Sequence, residues 1–122
     1  MGQWREALST AHEAVELYRE LAGLNRDAFL ADLARSIKTR GTILMALDRN
    51  AEAAGVFAEG VRLALQETER YPEALLPLAL GLLRDYVSSC EAANVEPDSQ
   101  LFQEAIRILS PYLEQQQQGG ES

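Results

Sequence analysis

One stretch of this sequence has residue types that could bind a metal ion. His12-Glu13 is followed by Glu16, an arrangement similar to the start of the zinc-binding helix motif His-Glu-x-x-His. In that motif two histidines four residues apart lie on one side of a helix and coordinate the ion together. Here the second position holds Glu16, and His12 is the only histidine in the chain. The stretch therefore predicts an exposed histidine beside carboxylates and no metal site.

The other reactive residue types are also arranged without a catalytic pattern. Cys90 is the only cysteine, and no histidine lies near it in sequence to generate a thiolate, so we predict a buried packing residue. The serines lack the context of a nucleophile elbow, and the glycines form no phosphate-binding loop. The carboxylates stand at helical spacing from arginines, which is typical of a solvated helix face. We predict no enzymatic activity and no cofactor.

The overall composition is acidic and favours helices. The 122 residues include 19 acidic and 11 basic side chains, for a net charge of −8. This charge disfavours nucleic-acid binding, because such binding depends on clustered lysine and arginine. Pro77 interrupts the most apolar stretch, Ala74 to Leu83, so no run reaches the roughly 18 residues of a membrane span. The first residues lack the pattern of a secretory signal, and we expect a cytoplasmic protein that contacts neither nucleic acid nor membrane.

The elements that would position these residues repeat along the chain. Residues 13–17 recur as residues 59–63, with glutamate, a small residue, valine and leucine matched at a shift of 46. Residues 57–63 recur as residues 102–108, with phenylalanine, glutamate, a small residue and arginine matched at a shift of 45. One segment type therefore occurs three times, which is the signature of a repeat architecture.

The segments between these copies repeat as well, since residues 28–46 match residues 74–92. If this second type is named A and the first B, the order is B-A-B-A-B. Apolar residues recur at three- and four-residue steps, which predicts helices. The predicted helices span about residues 4–23, 26–47, 51–70, 72–93 and 99–114. Pro111 is expected to end or kink the last helix, so that residues 1–114 form the repeat domain and residues 115–122 a disordered polar tail.

The second and third predicted helices carry a recognisable order of small and large residues. Gly41, Leu44, Ala53, Phe57 and Gly60 resemble the tetratricopeptide-repeat (TPR) signature. In that family, small residues stand where antiparallel helices approach closely, and large residues fill the space between them. The resemblance implies an all-α fold, specifically an α-α superhelix (a TPR-like solenoid) of five antiparallel helices. It also implies a scaffold-like role in protein–protein interaction.

The second copy of the signature is weaker than the first. Val87 and Cys90 stand at the positions that Gly41 and Leu44 occupy in the first copy. Residues 7–37 also resemble the longer-period tetratricopeptide arrays of large bacterial and fungal signalling proteins. The resemblance covers nearly the whole chain, but it is specific for architecture more than for function, because members of this family bind very diverse partners.

The first predicted helix is of the B type and has no A helix before it in the sequence. In a repeat array each B helix packs against an A partner, so the apolar stripe of this helix is one neighbour short. We therefore expect the chain to be a fragment of a larger scaffold or regulatory protein. The alternative is a small helical domain that homodimerises through its incomplete N-terminal helix edge.

In tetratricopeptide proteins the A helices line a concave groove that holds the partner. The resemblance assigns these groove positions to Arg35, Lys38, Thr42 and Met45 from the first A helix and Gly81, Arg84, Ser88 and Glu91 from the second. The strip then holds three cations and one acid, and the equivalent residues Lys38 and Arg84 should lie side by side. We predict that it binds another protein or peptide, and an acidic segment or a C-terminal carboxylate is the chemistry it favours. The alternative is a solvated surface without a partner.

Overall fold

Helices account for nearly all of the chain that the computed structural model describes, which is residues 2–120 for the backbone and 2–115 for the side chains. The helices are α1 (Gly2–Leu24), α2 (Arg26–Ala46), α3 (Asn50–Glu67), α4 (Pro72–Ala93) and α5 (Ser99–Gly120). No strand occurs within these residues, and the all-α prediction is confirmed. The bounds of α1 to α4 lie within three residues of the predicted ones.

Polar residues and prolines at the helix ends explain where the chain turns. The Asn25 side chain accepts a hydrogen bond from the backbone N–H of Ala28 at 3.2 Å and so caps α2. Pro72 is the first residue of α4, where its missing N–H leaves no hydrogen bond unmade. Asp98 accepts from the backbone N–H groups of Gln100 and Leu101 and caps α5. Short-range signals of this kind are readable in the sequence.

The last helix is longer than predicted. The sequence predicts that Pro111 ends or kinks α5 near residue 114, yet the helix passes through Pro111 and continues to Gly120. Proline removes one backbone hydrogen bond, but Leu113, Glu114 and the four glutamines that follow have good helix propensity. The predicted disordered tail is therefore wrong for the backbone of residues 115–120, while residues 121–122 lie outside the described residues.

The helices pack in a consistent neighbour pattern. Helix α2 packs against α1, α3 and α4, and α3 packs against α2, α4 and α5. An ion pair between Arg19 and Glu59 at 2.7 Å joins α1 to α3, and one between Arg26 and Glu67 at 2.8 Å joins α2 to α3. Helices of the same predicted type therefore contact each other, α2 with α4 and α3 with α5.

Glycines allow the helices to approach closely at two points. A Cβ atom placed on Gly41 would lie 2.6 Å from Cε1 of Phe57, whose side chain is fully buried. A Cβ atom on Gly60 would lie 2.9 Å from Cδ2 of Leu82 and 3.1 Å from Cγ2 of Ile37. The expected alternation of small and large residues thus occurs at the α2–α3 and α3–α4 contacts.

The core runs along the whole stack. The larger cluster of buried apolar residues extends from α2 to α5, and a smaller one joins α1 to α2 through Val15, Leu33 and Ile37. At the α4–α5 end of the core, the ring centroids of Tyr86 and Phe102 lie 6.2 Å apart. The Tyr86 hydroxyl accepts a hydrogen bond of 2.9 Å from the backbone N–H of Asp98, just before α5. These contacts hold α5 against α4.

Candidate functional site

An ion pair joins the two helices that carry the predicted groove residues. Lys38 of α2 reaches across to α4, where its Nζ lies 2.7 Å from Oδ2 of Asp85. The space for this crossing comes from Gly81, where an added Cβ atom would lie 3.3 Å from Cε of Lys38. The two partners are only 32% and 20% exposed, so the ion pair is partly shielded from water. This pair links α2 to α4.

Arg84 lies on the other side of the same carboxylate. Its Nε is 3.8 Å from Oδ1 of Asp85, and its side chain is 77% exposed. Because Lys38 and Arg84 share one carboxylate, these two equivalent positions of the repeat are close neighbours in the structure. Arg84 is the more exposed of the two and is the one whose guanidinium is available to a partner.

The other predicted groove residues differ in the charges and hydrogen bonds that they can present to a partner. Arg35 is exposed and pairs with Asp32 of its own helix at 3.2 Å. The Thr42 hydroxyl is exposed and donates to the carbonyl of Lys38 at 3.0 Å, which leaves its oxygen able to accept a further hydrogen bond. Ser88 and Glu91 are exposed on α4.

Met45 does not lie open on this surface. Its side chain is partly buried and packs against the main core cluster. We therefore define the α2–α4 face as Arg35, Lys38, Thr42, Gly81, Arg84, Asp85, Ser88 and Glu91, which includes two acids.

The expectation of a basic strip with a single acid is wrong. Asp85 lies within the face between two cations, and Asp32 neutralises Arg35 at its edge. The acid missed in the sequence could have been found from helix geometry, because Asp85 follows Gly81 by four residues and precedes Ser88 by three, which places all three on one side of α4. The face is a surface of mixed charge.

The residues considered for metal binding and nucleophilic chemistry lie apart from this face. Cys90 is buried, as predicted, and the side chain of His12 is exposed on α1. Burial raises the pKa of the nearby Tyr86 hydroxyl, although the backbone N–H of Asp98 opposes this shift by donating to it. Within the described residues, no three His, Cys, Asp or Glu side chains are grouped closely enough to hold a metal ion.

None of the helices in the described part of the chain is both long enough and apolar enough to cross a membrane.

Comparison of the chain with protein-family models, with curated proteins and with solved structures returned no match. The resemblance to tetratricopeptide repeats therefore rests on the residues of this chain alone, on its 45- to 46-residue repeat and its pattern of small and large residues.

Proposed function

We propose that this chain is a tetratricopeptide-type interaction module that binds a segment of another protein along the α2–α4 face. One observation carries the proposal. Residues of two equivalent helices meet at the Lys38–Asp85 ion pair, and exposed hydrogen-bonding side chains flank the pair on both helices. A binding surface built on packed helices holds its side chains in place before the partner arrives, which lowers the entropic cost of binding.

The repeat pattern supports the architecture required by this proposal. Small residues at Gly41 and Gly60 lie against Phe57 and Leu82, so adjacent helices can stack closely in the manner of a solenoid. In such a stack the A-type helices α2 and α4 line one side and form its concave surface. The α2–α4 face then presents a continuous row of side chains to an extended segment.

The partner chemistry follows from the charges on this face. Arg84 offers a largely exposed guanidinium that can pair with a carboxylate through two parallel hydrogen bonds. Asp85 competes for the same guanidinium, so an acidic side chain or a C-terminal carboxylate binds by displacing a weak contact at 3.8 Å. We infer that the bound segment is acidic and that Asp85 limits its affinity.

The proposal is tested by peptide binding measured with fluorescence anisotropy. Acidic, neutral and basic peptides of equal length are titrated into the wild-type protein and into the Arg84→Gln variant. Loss of one exposed charge pair should weaken binding of the acidic peptides by a factor of about two to five.

The matched control is Arg107→Gln, which removes an arginine of similar exposure from α5. It should leave acidic-peptide binding unchanged. Equal weakening by both variants, or tighter binding of the basic peptides, would count against recognition at the α2–α4 face.

A second candidate function is homodimerisation through α1. Leu17 and Leu24 are 54% and 86% exposed and lie two helical turns apart on one side of this helix. A second copy could cover them along its own α1. Sedimentation velocity over a range of concentrations tests this candidate, because a monomer at every concentration would remove it, and Leu17→Glu should abolish any dimer that forms.

A further inference from the structure

A cavity of about 310 Å³ opens among α1, the last turns of α2 and the start of α3. It lies away from the α2–α4 face and shares none of its residues. The polar side chains that line it come from all three helices and the turn between α2 and α3: Arg5, Ser9, His12, Arg40, Arg49 and Glu52. Three of the chain's 11 basic residues thus meet at one cavity in a protein of net charge −8.

The positive charge in this cavity is only partly neutralised. Arg49 donates two hydrogen bonds to Glu52, at 2.6 Å and 3.0 Å, and this pairing uses the one carboxylate that lines the cavity. Arg5 and Arg40 form no ion pair with any residue in the described part of the chain. The cavity therefore holds two uncompensated guanidinium groups.

One of these guanidinium groups, that of Arg40, contains a buried hydrogen-bond donor that has no acceptor. Nε of Arg40 is buried and has no hydrogen-bond partner, the only such side-chain atom among the described residues. A buried donor without an acceptor destabilises the folded protein unless a water or a bound ion supplies the acceptor. The charge of Arg40 also helps to lower the pKa of Glu52, after the larger effect of the hydrogen bonds from Arg49, so these groups share one electrostatic environment.

We propose that this cavity is a binding site for a phosphoryl group. A phosphate dianion would balance the two uncompensated arginines, whereas a single carboxylate would balance only one. Its oxygens suit guanidinium groups, which donate in a planar fork, and the Ser9 hydroxyl and the His12 ring can donate as well. The phosphoryl group could belong to a small molecule or to a phosphorylated side chain of a partner, since both present the same oxygens.

The site is tested by isothermal titration calorimetry with inorganic phosphate at low ionic strength. The wild-type protein should bind phosphate saturably at one site. Arg40→Gln should weaken binding by about tenfold or more, as expected for loss of a partly buried charged hydrogen-bonding group. Arg5→Gln should weaken it by about two- to fivefold, because the Arg5 side chain is exposed. Glu52→Gln should strengthen binding, because it frees Arg49 for the ligand.

The control is Arg107→Gln, which removes an arginine far along the chain on α5 and should leave phosphate binding unchanged. Arg5 is exposed, so its variant tests the site even if Arg40→Gln fails to fold. Absence of saturable binding, or an equal loss in the Arg5 and Arg107 variants, would overturn the proposal.

The source of the phosphoryl group is identified by a second titration with a phosphoserine peptide and its unphosphorylated form. Much tighter binding of the phosphopeptide than of phosphate assigns the site to a phosphorylated partner. Equal affinity for phosphopeptide and phosphate assigns it to small phosphorylated molecules. Equal affinity for the two peptides would contradict phosphoryl recognition altogether. Both peptides are also titrated into the Arg5→Gln and Arg84→Gln variants. The gain in affinity from phosphorylation should be lost in Arg5→Gln and kept in Arg84→Gln, so this site and the proposed function succeed or fail separately.

Discussion

Replacement of Gly41 by alanine puts a methyl group into the contact between α2 and α3. The new Cβ atom would lie 2.6, 2.7 and 2.9 Å from three ring atoms of Phe57. That ring is fully buried and cannot move toward solvent, so neighbouring side chains or the helices themselves must shift. Overpacking of this kind costs about 1–3 kcal/mol. Alanine also recovers about 0.5–1 kcal/mol of helix propensity, which offsets part of the cost.

A second glycine separates these two effects. Gly55 lies within α3 and has no atom within 4 Å of an added Cβ, so Gly55→Ala should stabilise the protein by about 0.5–1 kcal/mol through propensity alone. The difference between Gly41→Ala and Gly55→Ala then equals the packing cost, about 1–3 kcal/mol. For a domain of this size that corresponds to a difference in melting temperature on the order of 4 °C per kcal/mol.

Urea denaturation of the two variants, with thermal melts followed by circular dichroism, measures this difference. Gly41→Ala should be less harmful when combined with Phe57→Leu, because the smaller side chain leaves room for the methyl group. If Gly41→Ala stabilises the protein as much as Gly55→Ala does, α2 and α3 do not approach closely at this point and the Gly41–Phe57 contact is refuted.

Three further predictions concern individual polar groups. Asp85→Asn should strengthen binding of acidic peptides and weaken binding of basic ones in anisotropy titrations, because it leaves Lys38 without its counter-ion; unchanged peptide preference would refute this. Tyr86→Phe should lower the free energy of unfolding in urea by about 0.5–1.5 kcal/mol, because the backbone N–H before α5 loses its acceptor; no change would show that water replaces the hydroxyl. Hydrogen bonds from Arg107 hold the pKa of Glu104 below its ordinary value of 4.5, so this pair stabilises the fold above that pH and stops doing so as pH falls through the lowered value. Glu104→Gln should therefore reduce the loss of stability in urea between pH 7 and pH 3, and an unchanged loss would argue against the pairing.

The sequence predicts the helices well because their signals are local. The repeat of 45 to 46 residues and the three- and four-residue spacing of apolar side chains locate α1 to α4. The turn residues Asn25, Pro72 and Asp98 mark the starts of α2, α4 and α5. The end of α5 is missed because Pro111 is a strong breaker in most contexts, and sequence rules do not weigh it against the helix propensity of the residues that follow.

The charges around the predicted site are harder to predict. That Asp85 lies between Lys38 and Arg84 depends on the rotation of α4 about its axis and on the space above Gly81. Neither can be read from residue types alone, although the spacing of Gly81, Asp85 and Ser88 indicates that they share one side of α4. As a result the sequence indicates which helices contribute to the face but misjudges its net charge.

The arginine-lined cavity cannot be predicted from the sequence, because its residues come from separate segments of the chain. Arg5, Arg40 and Arg49 lie on different parts of the chain and belong to no recognisable motif. Only the packing of α1 against the end of α2 brings them together. Nε of Arg40 is buried and lacks a hydrogen-bond partner. Both are properties of the folded protein, so residue types do not predict them.

Mapping of backbone amide chemical shifts during titration with an acidic peptide tests the central claim most directly. The proposed function predicts that the largest shifts fall on residues 35–42 of α2 and 81–88 of α4, and that a basic peptide of equal length produces much smaller ones. Shifts confined to α1, α3 or α5, no response at saturating peptide, or a stronger response to the basic peptide would contradict binding at the α2–α4 face.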